Sequence, residues 1–407
     1  MGKTVVIGGG PAGMMAAGRL NARGKETVLI EKNPMLGKKL RITGKGRCNI
    51  TNACDIMDIF ENIPRNPRFL YSAIYSFSNT DVVALLENMG LKTKVERGMR
   101  VFPESDSAHD VAKTLERYAL GKYVRLMRGE AQEIIVRNGA VCGVLLKDGR
   151  KLECESVIVA TGGVSYPLTG STGDGYRFAA AAGHSIVTPK ASLVPVVTQE
   201  KWVKDLMGVS LKNIAFKVTD AKKRSVYEDF GEMLFTHFGV SGPVVLSASA
   251  HMRDIDKNAY TMHIDLKPAL TAEQLDKRIL RDFSALQNKH LVNALDALLP
   301  KKMIEPILML AELAPHKSVN QISKEERRRL VETLKDLTLT AKSFRPIAEA
   351  IITSGGVNVK EINPSTMESK LVTGLYFAGE VIDVDAYTGG FNLQIAFSSG
   401  YLAGENA

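Results

Sequence analysis

The chain has 407 residues, 45% of them hydrophobic and 24% charged, and its net charge is +9. That balance excludes intrinsic disorder and fibrous repeats, and the length predicts two or three domains. No apolar run approaches the roughly 18 residues that span a bilayer, so a membrane partner is not expected.

The opening glycine-rich stretch is too short for a signal peptide. Four cysteines (Cys48, Cys54, Cys142 and Cys154) make neither a disulfide scaffold nor a zinc pattern, and no metal site is expected. A cytoplasmic protein with reduced thiols follows as the expectation. The basic excess is uneven. Residues 1–50 hold ten Lys/Arg against two Asp/Glu, residues 201–345 hold 24 against 18, and residues 346–407 hold two against seven. The densest excess therefore lies beside a glycine-rich loop, where a bound phosphate group would explain it.

In chain order, residues 4–7 and 28–30 are short β-branched runs. Between them Met14, Ala17 and Leu20 recur at helical spacing behind Pro11, a residue suited to a first helical turn. This predicts a strand–helix–strand unit and hence a parallel sheet. Helices are predicted over residues 81–92, capped by Asp81, and 106–120. Residues 124–160 then read as a meander of short strands with turns at Asn138-Gly139 and Asp148-Gly149. It ends in a buried strand, residues 156–160, that enters Thr161-Gly162-Gly163.

Residues 190–268 read as irregular strands punctuated by Pro195, Pro243 and Pro268. Thr271 can cap a helix carrying Leu275, Ile279 and Phe283. Further helices are predicted near 290–299, 301–313 and 324–337, the last with Ser323 and Glu326 at capping-box spacing. After Pro346 parallel-sheet character is expected to return at residues 350–352 and 375–378, with a last helix from near Asn392. The predicted fold is an α/β, Rossmann-like domain in two pieces, residues 1–190 and 345–407. Inserted into it are a β-rich domain (191–270 and about 338–345) and a helical one (271–337).

The central chemical signal is Gly8-x-Gly10-x-x-Gly13, with Glu31 eighteen residues after the last glycine. The first glycine permits a tight turn, the second a close backbone approach to a pyrophosphate, and the third close packing of helix on strand. The helix N terminus offers free N–H groups and a positive dipole end to the phosphates. Glu31 can accept from ribose hydroxyls and would repel a 2′-phosphate, which selects FAD or NAD over NADP. A second stretch decides for FAD: Gly379-Glu380-Val381-Ile382-Asp383, followed by Gly389-Gly390-Phe391-Asn392-Leu393-Gln394. An extended FAD needs such a second element for its ribityl chain and ring. Asp383 can hold ribityl-side groups, and the helix near Asn392 can point its dipole at the flavin N1–C2=O edge.

Together with Glu31-Lys32, Gly37-Lys38-Lys39, Thr43-Gly44-Lys45-Gly46-Arg47-Cys48-Asn49-Ile50-Thr51-Asn52, Thr172-Gly173-Asp174-Gly175 and Phe235-Thr236-His237-Phe238-Gly239, these motifs resemble the BaiN-like flavoproteins. That family includes the bile-acid-inducible flavoprotein of gut bacteria and aminoacetone-oxidase-like proteins. The resemblance spans nearly the whole chain. It implies a two-dinucleotide-binding fold with an inserted β-barrel-like domain and a helical cap. It also implies FAD wrapped by Gly8, Gly10, Pro11, Ala12, Gly13, Glu31 and Lys32, by Gly44, Arg47, Cys48 and Asn49, by the backbone near Ala131, and by Thr161 and Gly162. The C-terminal stretch would contribute Gly379, Glu380, Asp383, Asn392, Leu393 and Gln394. Lys38, Lys39, Arg41, Lys45 and Arg47 lie where a basic loop would neutralise the pyrophosphate.

The candidate acids and bases are His237, Tyr166 and Tyr387. His237 between aromatics is a packed residue or a carbonyl polariser. Each tyrosine adjoins a glycine loop expected to flank the flavin. The leading expectation is an FAD-dependent oxidoreductase reducing the C=C bond of a small-molecule enone, such as a 3-oxo bile acid, with NAD(P)H as transient donor. The alternatives are an oxygen-using amine oxidase and, more remotely, a nucleic-acid-associated flavoprotein. Against the latter, Glu325-Glu326-Arg327-Arg328-Arg329 reads as a helix face with internal ion pairs, and nucleic acid is not an expected partner.

Overall fold

The computed structural model describes residues 3–252 and 254–407, so Met1 and Gly2, where the first predicted domain begins, lie outside the described residues. Two compact units emerge: Met1–Ser192 with Pro346–Ala407, and Leu193–Arg345.

The first unit is built on five parallel strands in the order Leu375–Phe377, Ser156–Val159, Thr4–Ile7, Thr27–Glu31, Val124–Arg128. Thr4–Ile7 at the centre is buried at every position, as a β-branched run covered on both faces must be. Ile7 pairs with both Ile30 and Val159, so three strands end level and deliver their following loops to one edge. The first helix, Pro11–Ala22, buries Met14, Ala17 and Leu20. It packs against the C-terminal helix Phe391–Asn406 through two glycines. A Cβ on Gly404 would lie 2.6 Å from the carbonyl oxygen of Ala16, and one on Gly400 would collide with that of Ala12.

Four expectations need correction. Val124–Arg128 is not part of the meander; it pairs in parallel with Thr27–Glu31 as the sheet edge, leaving a three-stranded meander of Ala131–Arg137, Ala140–Leu146 and Lys151–Glu153. Residues 350–352 do not restore the parallel sheet. Ile352–Val357 instead runs antiparallel to Ile186–Ser192. Its glycines belong to that pairing: at Gly355, φ +95, a Cβ would meet the Thr188 carbonyl at 2.6 Å. Asp81 does not cap Asn79–Asn88. Ser78 does, and Asp81 is its reciprocal partner in a capping box. Pro243 does not punctuate a strand region but opens the helix Pro243–Ser249, where its missing N–H costs nothing.

The second unit holds a closed six-stranded barrel in the order Val196–Thr198, Gly239–Ser241, Ser225–Phe235, Ser210–Asp220, Tyr260–Asp265, Leu337–Phe344. Helices Ala272–Ala285 and Lys324–Lys335 begin with the predicted cap at Thr271, which is in fact a full capping box with Gln274, and the predicted Ser323–Glu326 capping box. Barrel residues Phe216, Val218 and Leu339 and helix residues Leu275, Ile279 and Leu330 share one buried core. Among the described residues no helix is long and apolar enough to cross a membrane.

Candidate functional site

At the end of Thr4–Ile7 the chain turns through Gly8, whose φ of +106 no β-carbon would tolerate against the Ala160 carbonyl 2.5 Å away. Gly13 fits so closely that a Cβ would overlap the oxygen of Gly8, whereas one on Gly10 would meet nothing within 4 Å. The turn is thus tight below and open above. Gly10 is the N-cap of Pro11–Ala22 without any side-chain cap, and Met14 N–H is taken up by Gly10 O at 2.9 Å. The earlier amides of the helix have no intrahelical acceptor, which leaves an anion site.

Glu31 ends its strand 7% exposed. Its Oε2 accepts Gly9 N–H at 2.8 Å, and its Oε1 accepts the backbone and side-chain N–H of Asn33, both at 2.7 Å. These bonds aim the carboxylate at the turn while lone pairs remain for a ligand hydroxyl.

The loop after the second strand makes the next wall. Gly44, Lys45, Gly46 and Cys48 all have φ between +56 and +85. Left-handed Lys and Cys so close together are held by surrounding contacts. Cys48 is fully buried, and burial pushes its thiol up to about 12 against a weaker opposing bond with Thr43. It is a packed, unreactive thiol. The loop then touches the C-terminal motif. A Cβ on Gly390 would clash with the Thr51 backbone, Asn52 Nδ2 donates to Gly389 O at 3.1 Å, and Thr51 Oγ1 donates to Gln394 Oε1 at 2.6 Å.

Gln394 is wholly buried and also donates to Phe77 O and Ser398 Oγ, so its side chain is structural. Asn392 is likewise engaged, receiving Ala386 N–H and donating to Ala386 O. What this helix offers a ligand is its uncapped N terminus behind Gly390, beside Leu393.

The loops after Thr27–Glu31 and Leu375–Phe377 meet through an ion pair that spacing could not reveal, and the loop after Ser156–Val159 joins it through Ser165. Lys39 Nζ lies 2.7 Å from Glu380 Oε2 and 2.6 Å from Ser165 Oγ, and Glu380 Oε1 accepts Ser165 Oγ and Thr353 N–H. Gly379, φ +77, packs its backbone on Ala12, which brings the C-terminal motif against the first glycine turn. Asp383, 3% exposed, is bound by both arms of Arg65 and by Asn66. Asp385, also 3% exposed, lies within reach of the Arg65 charge. It accepts from Ser192 at 2.7 Å and Ser354 at 3.0 Å, and burial raises its carboxyl above the usual carboxylate range. Arg65, Ser165 and Asp385 carried no motif that sequence reasoning could have used.

Other predicted residues fall into separate places. Lys32 pairs with Asp174 and Thr172. Arg47 pairs with Glu96 and Asp106, and Arg41 approaches Glu116 at 3.8 Å. With Lys39 on Glu380, three of the five basic side chains expected to neutralise a pyrophosphate face acids of the chain itself. Thr161 and Gly162, φ +73, lie at the sheet edge, and Ala131 is buried at the start of the meander. Tyr166 is 37% exposed with φ +50, and Tyr387 is half-buried with its N–H on Asn62 O. His237 belongs to the other unit, exposed on the turn between Ser225–Phe235 and Gly239–Ser241, its ring edge-on to Phe238 at 4.9 Å. It is not packed in a core.

Among the described residues of the first unit, three buried side-chain polar atoms lack a hydrogen-bond partner: Asn49 Oδ1, Thr161 Oγ1 and Tyr176 OH. Two of them belong to loops predicted to hold FAD. A cradle open above Gly10, uncapped helix ends behind Gly10 and Gly390, a buried ribose-type carboxylate and these orphaned atoms fit a dinucleotide with a polar chain between its halves.

The sequence profile of the HI0933-like protein Rossmann domain matches residues 2–406. A ribosomal RNA dihydrouridine synthase of Haemophilus influenzae is 32% identical over 405 residues, 98% of this chain and 96% of that protein. A 3-dehydro-bile acid delta(4,6)-reductase of Clostridium scindens is 31% identical over 420 residues, covering 100% and 99%. Among solved structures, 3-ketosteroid delta1-dehydrogenase of Sterolibacterium denitrificans shares the fold, with a TM-score of 0.54, 13% identity and coverage of 99% and 98%.

Proposed function

The chain belongs to the HI0933-like Rossmann family of FAD-dependent oxidoreductases, and from that premise we propose that it reduces a carbon–carbon double bond conjugated to a carbonyl group. The observation that carries the reading is what two full-length relatives with different names have in common. In a 3-dehydro bile acid the double bond is conjugated with a ring ketone. In uracil the C5=C6 bond is conjugated with the C4 carbonyl. Both accept hydride at the β-carbon and a proton at the α-carbon.

Bound FAD would supply the hydride and be recharged by NAD(P)H, which docks transiently because the chain has a single Gly-x-Gly-x-x-Gly turn. The residues' own tasks are to hold the cofactor and to manage one proton. Gly8, Gly10, Pro11, Ala12 and Gly13 with Glu31 would take the ADP half. The N terminus of Phe391–Asn406 would favour negative charge on a group placed before it. Of the three candidate proton donors, Tyr387 is the best supported, since it adjoins the loop leading into Gly389-Gly390. His237→Ala is the matching test in the other unit: turnover is expected to fall while FAD content stays unchanged.

A steroid-sized enone remains the first substrate class. A uracil base of ribosomal RNA is the second, favoured by the 32% identical relative and the net charge of +9. Against a strong RNA patch on Lys324–Lys335, Arg328 pairs with Glu325 and Glu332, and Arg327 with Asp276. The test is anaerobic. Protein reduced with NADPH is mixed with a 3-oxo-Δ4 steroid or with unmodified ribosomal RNA, and the return of oxidised-flavin absorbance is followed. Reoxidation by either supports the reading and names its substrate class. Reduction of the oxidised protein by an amine, with no reoxidation by enone or RNA, would replace it with the amine oxidase alternative.

A further inference from the structure

Tyr176 lies in the first turn of the helix Asp174–Ala181, 8% exposed, and its hydroxyl has no hydrogen-bond partner. No motif marked it. Buried tyrosines ordinarily keep their polar end satisfied, as Tyr376 does by donating to Asn406 O at 3.0 Å. An orphaned hydroxyl is costly to keep in a protein interior, because it gave up water and received nothing in return.

The nearby acids do not supply the acceptor. Burial first, and the charges of Glu380 and Asp383 after it, push the phenol up, so it stays protonated and keeps a proton to donate. Glu380 is already taken by Lys39, Ser165 and the Thr353 amide, and Asp383 by Arg65 and Asn66. A second orphan, Thr161 Oγ1, lies where a Cβ on Gly175 would strike it. Two hydroxyls without a partner thus come from neighbouring segments, Thr161 in the loop after Ser156–Val159 and Tyr176 in the helix that follows, and the Tyr176 phenol lies within reach of the charges of Glu380 and Asp383 in the C-terminal motif. Both belong to the unit whose glycine turn and acid fit FAD.

We propose that Tyr176 is a cofactor-contact residue whose O–H donates to an acceptor oxygen of bound FAD. This rests on FAD binding by the first unit, which the wild-type arm of the same experiment tests separately. Wild type and Tyr176→Phe are stripped of flavin, the thermal midpoints of the apoproteins are compared, and FAD is titrated back by the quenching of its fluorescence.

Phenylalanine fills the same space without the orphaned group. The apo variant should therefore melt no lower than wild type, while its Kd for FAD rises roughly 5- to 15-fold, the effect of one lost hydrogen bond. An unchanged Kd would overturn the proposal. So would an apo midpoint that falls by more than about 3 °C, since that marks a hydroxyl the protein itself uses. Wild-type apoprotein that takes up no FAD would instead defeat the flavin reading.

Discussion

Glu31→Ala is expected to purify with little FAD. Glu31 combines two duties at one carboxylate. It ends the second strand, where a ribose would lie, and its Oε2 satisfies the buried Gly9 N–H inside the phosphate turn. Losing a charged hydrogen bond to ligand costs about 1–3 kcal/mol. Orphaning Gly9 N–H loosens the turn as well, so FAD affinity should drop roughly 10- to 100-fold. Flavin absorbance per protein after gel filtration reads the result directly. Glu31→Gln keeps an acceptor for Gly9 and should lose less. Full flavin content in the alanine variant would remove Glu31 from the site.

Arg65→Ala should strongly destabilise the packing around Asp383 of the C-terminal motif. Asp383 has a side chain only 5% exposed, and Arg65 is the cation paired with it. Stripping the partner from a buried carboxylate costs about 3–5 kcal/mol. Because Arg65 is itself 29% exposed, water can reach part of the gap, and about 2–4 kcal/mol is the better expectation. The thermal midpoint should fall by several degrees and flavin retention with it. Adding Asp383→Asn removes the stranded charge and should recover part of the loss. A double variant no better than Arg65→Ala would show that the two residues are not coupled.

How far the sequence could be read depended on whether a signal was local. The glycine turn, Glu31, the cap at Thr271 and the capping box at Ser323 are set by neighbours in the chain, and each formed where the local sequence indicated. Asp81 failed as a cap because Ser78 supplied a better geometry three residues earlier. Strand partnership was less visible. Val124–Arg128 has the composition of a meander strand, and only its neighbour reveals it as a sheet edge. Charge was the least legible. Lys39, Arg41 and Arg47 look like a phosphate-binding run until Glu380, Glu116, Glu96 and Asp106 arrive from distant segments to meet them. Tyr176 stayed hidden for the converse reason: what singles it out is a missing partner.

The antiparallel pair Ile186–Ser192 and Ile352–Val357 has a bearing on where the chain tolerates change. Ser192 lies opposite Ile352, and a few residues further on, within the second unit, Val196 lies opposite Phe344. The chain departs and comes back through one doorway, and each unit closes its own sheet around that doorway. A segment whose two ends start side by side behaves as a cassette: it can be lengthened, trimmed or traded without re-registering the parallel sheet. A change confined to residues 193–345 would therefore leave the strand registers of the dinucleotide-binding frame as they are.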